Sequence, residues 1–174
     1  MAKRKSRRTN AAAFEELLSA TPPTPPIRPR SGSVFDKLVT EQHLMYISDK
    51  QIRFDPQKKR NTFKNKRPVI VMHKDSRRML AILVPGTSKT YFWRDNKKWY
   101  LHDDPYAVLI PEQACFRLHR DTWFLIRYLQ IFLAEEFDQM QGIQLAEKIP
   151  ESYFKRLQEA MQKWIEDQRR STKP

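Results

Sequence analysis

The sequence predicts an α+β fold, on three observations. Two short apolar runs rich in branched side chains, Val69-Ile70-Val71-Met72 and Leu80-Ala81-Ile82-Leu83-Val84, are separated only by the polar stretch His73-Lys74-Asp75-Ser76-Arg77-Arg78. A second strand pair is signalled where Tyr91-Phe92-Trp93-Arg94 and Lys97-Lys98-Trp99-Tyr100 flank Asp95-Asn96. The last third of the chain turns to helical spacing. Strands followed by helices, rather than a regular alternation of the two, argue for an antiparallel sheet with helices set against it.

In chain order, the first 34 residues read as a disordered tail and 35–174 as one folded domain. The tail opens with the basic cluster Lys3-Arg4-Lys5-Ser6-Arg7-Arg8, and Ala11 to Ala20 follows as a possible short nascent helix. It then runs through a Pro-rich segment holding five of the twelve prolines, a composition that extends a chain instead of packing it. Residues 34–45 place Phe35, Leu38, Val39 and Leu44 on one face behind Ser33, which predicts a short amphipathic helix with a serine N-cap. Residues 51–54 read as a weak strand ending at Asp55-Pro56. The connection from Gln57 to Lys66 carries Lys58, Lys59, Arg60, Lys64 and Lys66 around Phe63, cations that can track a phosphate backbone while the ring stacks on a base. A solvated strand connection is the alternative for that loop.

The two apolar runs come next, then the aromatic hairpin, where Asn96 tolerates the left-handed geometry of a tight turn. Residues 107–110 and 114–118 read as later strands around Pro111-Glu112-Gln113. The apolar stretch 124–132 reads as a helix before Glu135-Glu136. Tyr153, Phe154, Leu157, Met161, Trp164 and Ile165 define a second, cleaner amphipathic helix after Pro150-Glu151.

If the two apolar runs pair antiparallel, Arg67 at the mouth of the first comes beside Pro85-Gly86-Thr87-Ser88 at the exit of the second. A guanidinium offers several donors in a planar fork that suits a phosphate, and adjacent hydroxyls can hold its oxygens. Arg67, Thr87 and Ser88 are therefore candidate catalytic residues of a phosphodiester site, with Lys89 beside them as an RNA contact. The plainer reading has Arg67 solvated or ion-paired at a strand start and Thr87-Ser88 as turn chemistry.

Phe54-Asp55-Pro56, then a polar loop, then Lys66-Arg67-Pro68-Val69-Ile70-Val71, then Val84-Pro85-Gly86-Thr87-Ser88, resembles in order and spacing the PemK/MazF family of toxin ribonucleases over roughly residues 49–117. The resemblance implies a compact SH3-like β-barrel with flanking helices, acting as a homodimer on single-stranded RNA and restrained by an acidic antitoxin. It implies that Arg67 and Thr87 serve the scissile phosphate, and that Ser88 matches a neighbouring hydroxyl of some members. It also places Glu112 and Gln113 on a strand edge lining the RNA groove, with Arg117 as a basic position there. The chain departs from the family where Ser48-Asp49 and Lys50-Gln51 stand in place of a Gly-acidic opening and bulky apolar residues, and where Ala114 or Cys115 replaces a basic residue.

Composition is consistent with that partner. Among 174 residues, 33 Lys and Arg against 20 Asp and Glu give a formal charge of +13, which predicts attraction to polyanions with a steep salt dependence. The tail holds only seven of those cations, so the excess belongs to the folded part as well. A single cysteine, Cys115, excludes an intramolecular disulfide. No apolar run is long enough to span a bilayer, and the basic start lacks the apolar segment of a secretory signal. A cytoplasmic location is the expectation. The four histidines are scattered, three glycines leave no phosphate-cradling loop, and no metal or cofactor is called for.

The expected function is a metal-independent endoribonuclease in which the RNA 2′-OH attacks the adjacent phosphate. A catalytically inactive RNA- or protein-binding module is the alternative, and a DNA-binding regulator a third.

Overall fold

The computed structural model describes residues 33–48, 51–52, 66–94 and 96–171. The tail up to residue 32, the loop carrying Lys58, Lys59, Arg60, Phe63 and Lys64, and half of the weak strand expected at 51–54 lie outside them. Gln51 and Ile52, which are described, belong to no strand.

In chain order the elements are α1 (Val34–Leu38), β1 (His43–Ser48), β2 (Lys66–Asp75), β3 (Leu80–Thr87), β4 (Tyr91–Arg94), β5 (Lys97–Tyr100), β6 (Ala107–Ile110), β7 (Thr122–Leu125), β8 (Gln130–Leu133), α2 (Ala134–Gln139), β9 (Gln144–Lys148) and α3 (Glu151–Ser171). Seven strands form one antiparallel sheet in the order β6-β7-β3-β2-β1-β9, with β8 pairing β3 beside that path; β4 and β5 make a separate two-stranded sheet.

β3 is the hub, and its sequence shows why. Every residue from Leu80 to Thr87 is buried, and an unbroken apolar run is what a strand covered on both faces requires. Leu80 to Leu83 pair with β8, and Gly86 and Thr87 pair with β7. A Cβ on Gly86 would lie 2.7 Å from Thr122 Cγ2 and 2.9 Å from Phe124 Cε1, so the close approach of β7 depends on glycine there. On the other side β3 pairs with β2, with a register shift between Val71 and His73; a bulge of this kind bends and twists a strand.

Strand alternation sorts the core into two layers. Leu44, Ile70, Ile82, Val84 and Phe124 face α3, whose Phe154, Leu157, Ala160 and Trp164 are buried against them. Met45, Ile47, Val69, Val71, Ala81 and Leu83 face α1 and α2, which contribute Phe35 and Phe137. The sheet is thus a middle layer between helices. Glu151 in the first turn of α3 and Arg169 and Arg170 in the last match the sign of the helix dipole.

Several expectations are corrected. The helix expected over 34–45 stops at Leu38, although Ser33 does cap it, accepting from Asp36 N at 3.1 Å. Beyond it, Leu44, Met45 and Ile47 belong to β1, buried from both sides. The first strand therefore ends at Ser48 instead of opening there. The residue opening the strand is Gln42, at φ 64°. A left-handed non-glycine costs about 1–2 kcal/mol, and three hydrogen bonds offset it: Gln42 N to Val71 O, Gln42 Nε2 to Ile149 O and Ile149 N to Gln42 O, each 2.9 Å. The stretch 124–132 is not a helix but β7, a 3-10 turn (Ile126–Tyr128) and β8; a dense apolar run buried on all sides carries no period that separates helix from strand. Residues 114–118 form no strand, being folded into successive turns after a 3-10 turn (Glu112–Ala114).

The expected barrel is also corrected, because among the described residues the sheet does not close. Its path ends at β6 and β9. Side chains span the remaining interval: Glu147 on β9 accepts from Arg117 N at 2.6 Å and from Cys115 Sγ at 2.9 Å, and the Tyr46 hydroxyl on β1 donates to Arg117 O at 2.6 Å.

Candidate functional site

The antiparallel register of β2 and β3 pairs Val69 with Pro85, and two residues further out it sets Arg67 opposite Thr87. The Arg67 guanidinium donates to Gly86 O at 3.2 Å, which fixes it at the exit of β3. Arg67 is half-buried, and on its other side it pairs with Ile47 of β1. Thr87 is only 6% exposed. Its hydroxyl accepts from Lys89 N at 3.2 Å, so with one lone pair engaged, the hydroxyl proton is what it can present to an anionic oxygen. Ser88 and Lys89 follow directly and are exposed, as is Lys66 next to Arg67. Arg67, Thr87, Ser88, Lys66 and Lys89 thus gather at one corner of the sheet, where β2 begins and β3 ends.

Across from Thr87 on β7 stands Trp123, half-buried and on the same sheet face by register. The helix expected over 124–132 gives Trp123 no place here; the strand that forms instead pairs the indole with the site.

The remaining expected contacts do not join this corner. Glu112 and Gln113 are exposed on the 3-10 turn after β6, not on a strand edge, with Glu112 N donating to Asp121 Oδ1 at 3.0 Å. The backbone of Arg117 is tied to Tyr46 and Glu147, which by alternation lie on the face of Leu44 and Ile70, opposite to that of Arg67 and Thr87. Phe116 beside it is 88% exposed. Lys58, Lys59, Arg60, Phe63 and Lys64 fall outside the described residues. His73 is six residues along β2 from Arg67, about 20 Å at strand rise, and its Nδ1 lies 2.7 Å from Glu41 Oε1. Further along the chain, His102 Nε2 is 3.3 Å from Asp103 Oδ1, and Asp104 holds Arg127. Among the described residues no group of three or more His, Cys, Asp or Glu is arranged to hold a metal ion.

Cys115 is buried, and its thiol is pushed up to about 12, first by burial and then by its hydrogen bond to Glu147. A thiol so placed stays protonated and is a poor nucleophile. Tyr46 is raised by burial, with Cys115 and Glu147 adding to it. These groups are structural, joining β1, β9 and the 114–118 turns.

No protein-family profile matches the chain, and no curated protein matches it. Solved structures do. The chain is similar to a MazE–MazF crystal structure from Deinococcus radiodurans at 13% identity and a TM-score of 0.47, covering 74% of this chain and 95% of that one. It is also similar to MazF from the same organism at 15% identity and a TM-score of 0.46, covering 74% and 97%.

Proposed function

We propose that this chain is an endoribonuclease of single-stranded RNA that works without a metal ion, with Arg67 and Thr87 at the scissile phosphate. The observation that carries the reading is the meeting of the Arg67 guanidinium with the Gly86-Thr87 exit of β3, at the two positions that the sequence resemblance assigns to phosphate chemistry. In this reading the 2′-OH attacks the adjacent phosphorus and the P–O5′ bond breaks, leaving a 2′,3′-cyclic phosphate and a 5′-OH. Arg67 stabilises the charge that builds on the phosphoryl oxygens, Thr87 donates its hydroxyl proton to one of them, and Ser88 orients another. Lys66 and Lys89 attract the strand to the corner.

Preorganised donors of this kind contribute about 10² to 10³ in rate each. The test is to incubate a long single-stranded RNA in EDTA with wild type, Arg67→Ala and Thr87→Ala, and to map the ends. Cuts that yield 5′-OH ends, reduced about 100-fold or more in variants of unchanged melting temperature, support the reading. Intact RNA with the wild type overturns it. Arg67 spends a donor on a carbonyl of its own chain, and that favours a second reading, in which the corner binds RNA or protein without cutting; RNA bound equally by all three proteins and left full length is its signature. An acidic antitoxin, a homodimer and a cytoplasmic location belong to the nuclease reading and stand or fall with it.

A further inference from the structure

The β4–β5 hairpin stands apart from the main sheet, and its two faces are unlike. The register pairs Tyr91 with Tyr100 and Phe92 with Trp99. Residues directly opposite share a face, so Tyr91, Tyr100 and Lys98 lie on one and Phe92, Trp99 and Lys97 on the other. Phe92 is the anchor: its ring sits 6.1 Å from that of Tyr128, on the 3-10 turn before β8. The base of the hairpin is pinned where Leu101 N donates to Thr90 O at 2.9 Å and Leu101 is buried. On the opposite face Tyr100 is exposed and Tyr91 half-buried. There Tyr91 and Tyr100 are in ring contact at 6.0 Å, Tyr100 continues to His102 at 5.5 Å, and Lys98 Nζ lies 4.8 Å above the Tyr91 ring. Tyr100 is 45% exposed, and Trp99 on the edge is 56% exposed.

A two-stranded sheet with this much aromatic surface in water is not a folding solution by itself, and its charge says what covers it. The eight strand residues include three cations and no carboxylate. Ring faces tilted by 58° between Tyr91 and Tyr100, with Lys98 beside them, match an unpaired base with its phosphate, because base–aromatic stacking accepts any base and a cation follows the backbone. The hairpin also lies within reach of the phosphate corner. Tyr91 is four residues after Thr87, so their Cα atoms are at most about 14 Å apart.

We propose that the Tyr91–Tyr100 face of this hairpin, with Lys98, is a base-stacking subsite that holds nucleotides flanking the phosphate at Arg67 and Thr87. The inference rests on the RNA reading given above and adds a determinant of strand state: only unpaired bases can lie on these rings.

The experiment measures anisotropy of a labelled mixed-sequence ten-nucleotide 2′-O-methyl RNA, which cannot be cut through its 2′ position, as a single strand and as its duplex. It uses wild type, Tyr100→Ala, Tyr100→Trp and Lys98→Ala, with cleavage of ordinary RNA followed in parallel. Tyr100→Ala is expected to weaken single-strand binding by about 5- to 100-fold with the salt slope unchanged. Tyr100→Trp restores the affinity, which separates stacking from a folding defect, and the duplex is indifferent to both. Lys98→Ala lowers the salt slope by about 0.7. Unchanged single-strand affinity in Tyr100→Ala overturns the subsite, and so does an equal loss for the duplex. A self-associated species in sedimentation that Tyr100→Ala dissociates, with RNA affinity unaltered, overturns it in favour of a contact between copies of the chain. Cleavage lost in Arg67→Ala while hairpin variants bind normally removes the subsite and keeps the nuclease. A Tyr100 effect on binding with no cleavage by any protein keeps the subsite and removes the nuclease.

Discussion

The chain builds two β-hairpins in succession, β2–β3 and β4–β5, and they meet opposite fates. The first is ten and eight residues long, buried on both faces between helices, and paired on its outer sides by β1, β7 and β8. The second is four residues a side, pairs with no third strand among the described residues, and leaves all of β5 exposed. Both are rich in residues that favour strands, so propensity does not separate them. Interleaved charge does. Leu80-Ala81-Ile82-Leu83-Val84 can be covered from two sides without burying an ion, whereas Lys97-Lys98-Trp99-Tyr100 cannot. The first hairpin consequently carries the stability of the domain, and the second carries surface.

That contrast can be broken first at Gly86, where the rigid hairpin meets the candidate site. Gly86→Ala drives a methyl group into Thr122 and Phe124, both on a strand that cannot yield independently. We expect a loss of about 1–3 kcal/mol in urea unfolding, with activity falling together with stability as β7 is pushed from β3. An unchanged unfolding midpoint would mean that the sheet adjusts there at no cost.

A middle-sized effect follows from the seam beside the first hairpin. The Cys115 thiol is raised from 9.0 to about 12 in the fold, so above pH 9 the unfolded chain sheds a proton that the folded chain keeps. The stabilisation is fully present below about pH 9 and drains away as pH climbs toward 12. Between pH 8 and 11 the melting temperature of the wild type should therefore fall more steeply than that of Cys115→Ala. Tyr46, raised in the same direction, remains in both proteins, and parallel slopes would remove Cys115 from the account.

The smallest global effect is expected in the second hairpin. Asn96 holds φ 61° in its turn, and Asn96→Ala places an ordinary side chain in that conformation at a cost of about 1 kcal/mol. Faster amide exchange in β4 and β5 with a global unfolding midpoint unmoved would show that the hairpin opens independently of the sheet. A matching loss in both would join the two hairpins into one cooperative unit.

Much of this was legible in the sequence where a signal is local. The β2–β3 pair, the Asn96 turn, the Ser33 cap and the helix after Pro150 all rest on neighbours within a few residues. The antiparallel meeting of Arg67 with the Gly86-Thr87 exit followed from that pairing alone. What escaped needed partners distant in the chain. β7 and β8 read as a helix because burial from all sides erases period. β9, with its polar Gln144 and Glu147, is a strand only because β1 offers it an edge. The seam at Glu147 unites groups about 30 and 100 residues away, and the same distance hid the separation of Arg117 from Arg67.

The pairing of β1 with β9 also has a bearing on synthesis. The β2–β3 hairpin can form as soon as it leaves the ribosome, whereas β1, made earlier, has no outer neighbour until residues 144–148 emerge about 100 residues later. Through that interval Leu44, Met45 and Ile47 sit on an open strand edge, the feature most prone to pair with another chain. Long-range closure of this kind slows folding. Residues 144–148 therefore protect β1 from aggregation, and a nascent chain arrested before Gln144 would be the species that chaperones must hold.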